Sequence, residues 1–306
     1  MKIHERGLEV ETGVTLATWL VDGGLGTLPP PFLLVHGLAS NSRLWDMMAL
    51  DLARAGHVVG AVDLRGHGRS DKPDHGYDMS TLVSDLLAVI NGLGLKSPIL
   101  VGQSFGANLV LETAWRSPQV AGGIVCVDGG TIELSHTFPD WQDAAKALAP
   151  PRLAGTPYDE MRRMLLGLHP TWPATAVEAT MANFDLDADG RIAPRLSREH
   201  HMEILHSLWE HRPSSRFAEL TVPTLLVFAG LGGPPSKRWA ARSAEQAIPD
   251  VRVEWFESAG HDLHAECPDE LAQLLLRRVA EGFFTGSSAP GETVVAPDAL
   301  GTGPDG

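Results

Sequence analysis

Short apolar runs recur along the first 130 positions, each followed by a stretch with helical spacing. Residues 31–35 (PFLLV) read as a buried strand ending at His36-Gly37, and a helix is expected over 44–55. A second strand covers 57–62 and ends at Asp63. Ser80-Thr81 introduce an amphipathic helix over 82–93. A strand at 98–101, a helix at 105–116 and a strand at 123–127 follow. Continuous apolar strands alternating with helices imply an α/β fold, a mostly parallel β-sheet flanked by helices on both faces.

The same rhythm returns over 216–285, with strands at 224–228 and 251–256 and helices at 236–247 and 268–282. Between the two territories, residues 131–215 read as interrupted helices. The expected organisation is one core built from 1–130 and 216–285, with a helical lid, 131–215, inserted between two strands. Ligands bind beyond the carboxyl ends of parallel strands, which is where such a lid would sit. Residues 286–306 are rich in Gly, Ser, Pro and Asp and read as a disordered tail. The chain has no internal repeat.

Composition narrows the partners. The chain has 306 residues, is 43% hydrophobic, and carries a net charge of −14. That length can bury a sizeable core. The acidic balance disfavours nucleic acid and anionic membranes, which need clustered cations. Cys126 and Cys267 form neither a disulfide framework nor a metal spacing. The N-terminus is charged where a signal peptide needs an apolar run. No apolar stretch reaches the roughly 20 residues that span a bilayer. A soluble, cytoplasmic protein acting on a small molecule is expected.

Gly102-Gln103-Ser104-Phe105-Gly106 falls at the junction of a strand and a helix. A sharp turn there lifts a serine above the sheet edge, beside the free N–H groups of a helix N-terminus. The glycines are needed because a side chain at either position would meet the neighbouring strand or helix. Strand 31–35 ends in His36-Gly37-Leu38-Ala39, where the N–H of Leu38 could face the same point as the N–H of Phe105. Two backbone donors at one point would stabilise a developing oxyanion.

These pieces together resemble the α/β-hydrolase family in its lidded serine-hydrolase, esterase-like branch. The resemblance rests on HG at 36–37, DLRGHGRSDKP at 63–73, GQSFG at 102–106 and SAGHDLHAECPDEL at 258–271, and it covers about residues 8–283. It implies Ser104 as nucleophile, His261 as general base, and Leu38 and Phe105 as oxyanion donors.

The residues also favour His261 on their own account. It follows the strand at 251–256 by a short loop that returns it to the carboxyl edge of the sheet. His264 would point elsewhere. His200, His201, His206 and His211 lie on an expected helix without the i, i+4 pair of a zinc site, and read as solvated or packing. His67 sits on a turn that matches a family loop of structural use.

The acid departs from the commonest family pattern. The loop after strand 224–228, Leu231-Gly232-Gly233-Pro234-Pro235-Ser236, holds no carboxylate. Asp128 ends the preceding strand, 128 − 104 = 24 residues after Ser104, which is one helix, a loop and one strand. It therefore reaches the same edge, as in a minority of the family. The base needs an orienting partner, and Asp128 is the favoured one. Glu133 and Glu257 are fallbacks.

Asp185-Leu186-Asp187-Ala188-Asp189-Gly190 imitates a calcium loop but has Leu196 where a bidentate Glu is required, so it reads as a turn. No metal or organic cofactor is implied. The expected activity is hydrolysis of a carboxylic ester, lactone or thioester of a small, partly apolar molecule. Carbon–carbon bond hydrolysis, peracid formation and non-catalytic ligand binding are the alternatives. Substrate-pocket candidates are His36, Trp45, Phe138, Trp141, Trp172, Phe184 and Trp209.

Overall fold

The computed structural model describes residues 2–22 and 30–284. Lys2–Glu11 (β1) and Val14–Asp22 (β2) form an antiparallel hairpin. The apolar pattern assigns no strand to this segment. Charges break that pattern along β1, although Val14, Leu16 and Val21 of β2 are buried. Phe32–Val35 (β3) is buried throughout. Phe32 and Leu34 enter one core cluster, Leu33 and Val35 another, as the two-residue period of a strand requires.

Asn41 caps a 3₁₀ turn at Ser42–Trp45, so the next helix, Asp46–Arg54 (α1), starts later than its apolar pattern suggests. Val58–Val62 (β4) follows. Met79–Gly92 (α2) begins earlier than expected. Its cap is Asp78, whose carboxylate accepts the N–H groups of Ser80 and Thr81. Ile99–Gln103 (β5), Phe105–Arg116 (α3) and Gly123–Val127 (β6) complete the first half.

The next segment holds Leu134–Thr137 (α4), Trp141–Leu148 (α5), Tyr158–Leu168 (α6), Ala174–Met181 (α7), a hairpin of Phe184–Leu186 (β7) and Ile192–Pro194 (β8), and Arg198–Glu210 (α8). The Asp-rich stretch is the turn of that hairpin. Asp187 accepts the N–H groups of Asp189 and Arg191, and Asp185 pairs with Arg195 at 2.7 Å. Thr224–Ala229 (β9), Ser236–Ala247 (α9), Val251–Phe256 (β10), Leu263–Glu266 (α10) and Pro268–Ala280 (α11) follow. Residues 286–306, expected as a disordered tail, lie outside the described residues.

Among the described residues, eight strands form one sheet in the order β1-β2-β4-β3-β5-β6-β9-β10. From β4 to β10 every neighbour is parallel, while β2 meets β4 antiparallel. Apolar residues of α1 and α11 pack on one face, and those of α2, α3 and α9 on the other. Each fully buried Leu or Val contributes roughly 1.5–3 kcal/mol relative to exposure. The parallel order puts the residues that follow β3, β5, β6 and β9 on a common edge. No helix among the described residues is long and apolar enough to cross a membrane.

Candidate active site

Ser104 joins β5 to α3 with φ +53° and ψ −118°. A non-glycine residue there costs on the order of 1–3 kcal/mol, which the surroundings must supply. The close approach of strand and helix is visible at the glycines. A Cβ on Gly102 would lie 2.2 Å from the carbonyl oxygen of Gly106, and one on Gly106 would lie 2.4 Å from that of His36. The Ser104 hydroxyl does not cap α3, so the ordinary use of a serine at a helix start is not its use here.

Asp128 follows β6 and also has positive φ, +45°. Its backbone N–H donates to Val227 of β9, and Ser104 N–H donates to Val127. A Cβ on Gly129 would lie 2.3 Å from the Ser104 carbonyl oxygen. The two turns are thus packed against each other.

His261 arrives on the loop after β10. Its Nδ1 lies 2.6 Å from Asp128 Oδ2. Gln103, the residue before Ser104, donates through Nε2 to the His261 carbonyl at 3.2 Å and to Asp262 Oδ1 at 3.3 Å. That side chain ties the serine turn to the histidine loop. The Asp128 side chain is 2% exposed, and that of His261 is 53% exposed. Burial opposes ionisation of Asp128, but hydrogen bonds from His261, Lys237 and Ala229 N–H outweigh it and hold the carboxyl below its usual range. Desolvation likewise opposes the charged imidazole, yet the Asp128 hydrogen bond and the charges of Asp262 and Asp128 raise its pKa above the ordinary value.

Glu133 pairs with His136 and Arg212, and Glu257 with Arg238; neither hydrogen-bonds His261. Lys237, which the sequence pattern does not single out, sits one residue beyond the loop that lacks an acid. Its Nζ is 2.9 Å from both oxygens of Asp128. Its only signal in the sequence is a cation immediately after that loop.

The turn Gly37–Ala39 is braced from the side. Ala39 has φ +58°, and its N–H donates to His67 Nε2, whose Nδ1–H donates to the Arg65 carbonyl. Both ring nitrogens are committed, and burial pushes the His67 pKa well down, so it is a neutral strut. The N–H groups of Leu38 and Phe105 make no hydrogen bond among the described residues and are available to a ligand.

Two pocket candidates are corrected. His36 is fully buried, with Nε2 accepting from Leu64 N–H and Nδ1 2.8 Å from the Gly37 carbonyl oxygen. Trp45 is fully buried against His264, at 4.4 Å between ring centroids. Neither presents a surface to a ligand.

A cavity of about 730 Å³ lies beside the turn Gly37–Ala39. Ala39, Ser40, His67, Phe184, Leu196 and His201 are on its lining with Arg152, Arg195 and Arg198, whereas Ser104 and His261 are not. Burial and the charge of Arg198 push the His201 pKa down to about 4, so the ring is neutral at neutral pH. Phe184 is the one expected aromatic on this cavity. Trp172 stacks on His169 at 3.8 Å and packs among α6 and α7 residues. Trp141 stands edge-on to His206 over a separate shallow hollow, and Trp209 donates Nε1–H to the Phe138 carbonyl. Trp172 packs with α6 and α7, and the ring centroids of Trp141 and Trp209 lie 6.1 Å apart between α5 and α8, while Phe138 takes part through its backbone carbonyl. Periodicity cannot separate the two uses, because both require apolar surface.

A 2-(acetamidomethylene)succinate hydrolase of Mesorhizobium japonicum is 27% identical over 247 residues, covering 78% of this chain and 84% of that protein. An uncharacterised protein of Mycobacterium tuberculosis is 31% identical over 258 residues, covering 76% and 70%. The crystal structure of E-2-(acetamidomethylene)succinate hydrolase superposes with a TM-score of 0.72 at 23% identity, covering 91% of this chain and all of that one, a likeness of fold. Residues 32–274 match the model of the alpha/beta hydrolase family, and the chain belongs to that family.

Proposed function

We propose that the chain is a serine hydrolase that cleaves a carboxylic ester, or the related lactone or thioester, of a small, partly apolar molecule. The observation that carries this reading is the 2.6 Å bond from His261 Nδ1 to the buried Asp128 carboxylate, beside a strained serine that caps nothing. With Nδ1 held as the donor, Nε2 is the free base. It takes the Ser104 proton as the oxygen attacks the carbonyl. The N–H groups of Leu38 and Phe105 receive the oxyanion. The imidazolium, stabilised by Asp128, then protonates the leaving alcohol. Water activated by the same ring releases the acyl group.

The helices between β6 and β9 act as the lid over this edge. The cavity that Ala39 borders, with Leu148, Leu153, Phe184 and Leu196 beside Arg152, Arg195 and Arg198 on its lining, supports a substrate with an apolar portion and a polar or anionic one. A chromogenic acetate ester tests the reading. Wild type should release a stoichiometric burst of alcohol, and Ser104→Ala none. An equal burst from the variant overturns the reading, as does binding of such esters without turnover by wild type.

A further inference from the structure

Asp128 is held by more than the histidine it serves. Oδ1 accepts from Ala229 N–H at 3.0 Å and from Lys237 Nζ at 2.9 Å, while Oδ2 accepts from Lys237 Nζ at 2.9 Å and from His261 at 2.6 Å. Lys237 Nζ also reaches the Ala229 carbonyl at 3.3 Å. Its side chain is 18% exposed. The loop before it is shaped around the lysine. Gly233 has φ +82°, and a Cβ there would lie 2.7 Å from Lys237 Cε and 2.9 Å from Nζ. Where the commoner pattern would carry the acid, this chain carries a channel for a cation that grips the relocated acid.

We propose that Lys237 is a positioning residue for the Asp128–His261 pair: its ammonium grips both carboxylate oxygens, keeps Oδ2 aimed at the imidazole, and offsets part of the negative charge that would otherwise hold the proton on His261. The inference rests on the hydrolase reading above. A base must release its proton near the working pH, and an unopposed buried carboxylate would make it too basic. The offset has a clear object. The groups facing His261 are Asp128 after β6, Lys237 on α9, Asp262 beside it and the buried His264, with His169 and Glu266 facing Asp262 in turn. Two carboxylates thus hold the proton on the ring. Lys237 is the cation that opposes them.

The test is an NMR titration of the His261 ring in the full chain, assigned with a His261→Gln control, together with the pH profile of kcat/KM on the chromogenic ester. Lys237→Met should raise the His261 midpoint by about half to one pH unit and move the acid limb of the profile up by the same amount. Lys237→Arg, which keeps the charge, should restore the wild-type midpoint. If Lys237→Met does not fold, Lys237→Gln gives the same comparison. A lower melting temperature with both midpoints unmoved would make Lys237 a structural anchor only and overturn the proposal. Asp128→Asn separates the two levels. If it leaves the His261 midpoint unmoved, the hydrolase reading of the pair fails. If it lowers the midpoint while Lys237→Met does not raise it, only the lysine inference fails.

Discussion

Asp128 and His261 are 133 positions apart in the chain, yet Asp128 Oδ2 lies 2.6 Å from His261 Nδ1. The carboxylate is buried and the ring is half exposed, so the charge is fixed while the ring's other nitrogen stays open. Asp128→Asn preserves the shape and removes the charge. Its melting temperature should stay within a few degrees of wild type, and turnover should fall roughly 10⁴-fold, because the ring loses its tautomer. Steady-state kinetics beside a thermal melt checks this; near-normal turnover would remove Asp128 from the mechanism.

The pH dependence follows from the same pair. The His261 pKa is raised in the folded chain, and the base must be neutral. The acid limb of kcat/KM should therefore centre above about 6.5, the free-histidine value. The stability contributed by the pair runs the other way. The His261 part is fully present below its unfolded pKa and is lost as pH rises through the folded one, whereas the Asp128 part is present above its unfolded pKa and is lost in acid as pH falls through its lowered folded one. A profile from about pH 5 to 9 and a matching series of denaturant midpoints would read both signs.

Glycine substitutions should separate by contact. Gly102→Ala and Gly106→Ala force a methyl group into backbone atoms 2.2–2.4 Å away, so loss of soluble, folded protein is expected rather than a change in kinetics alone. Gly167, inside α6, has open space within 4 Å of where a methyl group would stand, and its φ is not positive. Gly167→Ala should stabilise by about 0.5–1 kcal/mol through helix propensity. Urea unfolding measures the contrast.

Glu112 of α3 is 1% exposed and pairs with Arg116, His211 and Arg216. Burial opposes its charge, but the bonds from His211 and Arg116 prevail and bring its pKa from 4.5 to about 2. Its contribution is present above the unfolded value and is lost as pH falls through the folded one. Glu112→Gln should cost roughly 2–4 kcal/mol at neutral pH and flatten the fall in stability between about pH 4.5 and 2. An unchanged acid limb of the stability curve would contradict the pairing.

Trp45→Ala should act on folding and Phe184→Ala on substrate. Trp45 is fully buried, so its loss leaves a cavity costing about 3–5 kcal/mol. Phe184 lines the cavity that Ala39 borders and also packs against the Met161–Ile192 cluster, so its loss should raise KM for apolar esters several-fold and lower the melting temperature less than Trp45→Ala does. A melting shift for Phe184→Ala equal to that for Trp45→Ala would place Phe184 in the packing instead.

The parallel core, the strand-to-helix serine turn and the missing acid after β9 are all legible along the chain. Each rests on local rules: strand and helix periods, the need for small residues where backbones touch, and the presence or absence of a carboxylate in one loop. Asp128 is favoured as the acid only once the family resemblance marks the loop after β9 as the usual place for one, and parallel topology then puts β6 on the same edge. The edge hairpin of β1 and β2 was not legible, since one solvated face dilutes its apolar pattern. Nor were the duties of the aromatics. Trp45 in the core and Phe184 on the cavity have the same residue chemistry, and only the packing of distant helices assigns them. Lys237 is the sharpest case. Its position names a cation after a glycine-rich loop, but its partner lies 109 residues earlier and is met only when β6 and β9 pair. Backbone preferences act over a few residues, whereas charge pairing and cavity shape depend on which segments the whole sheet brings together.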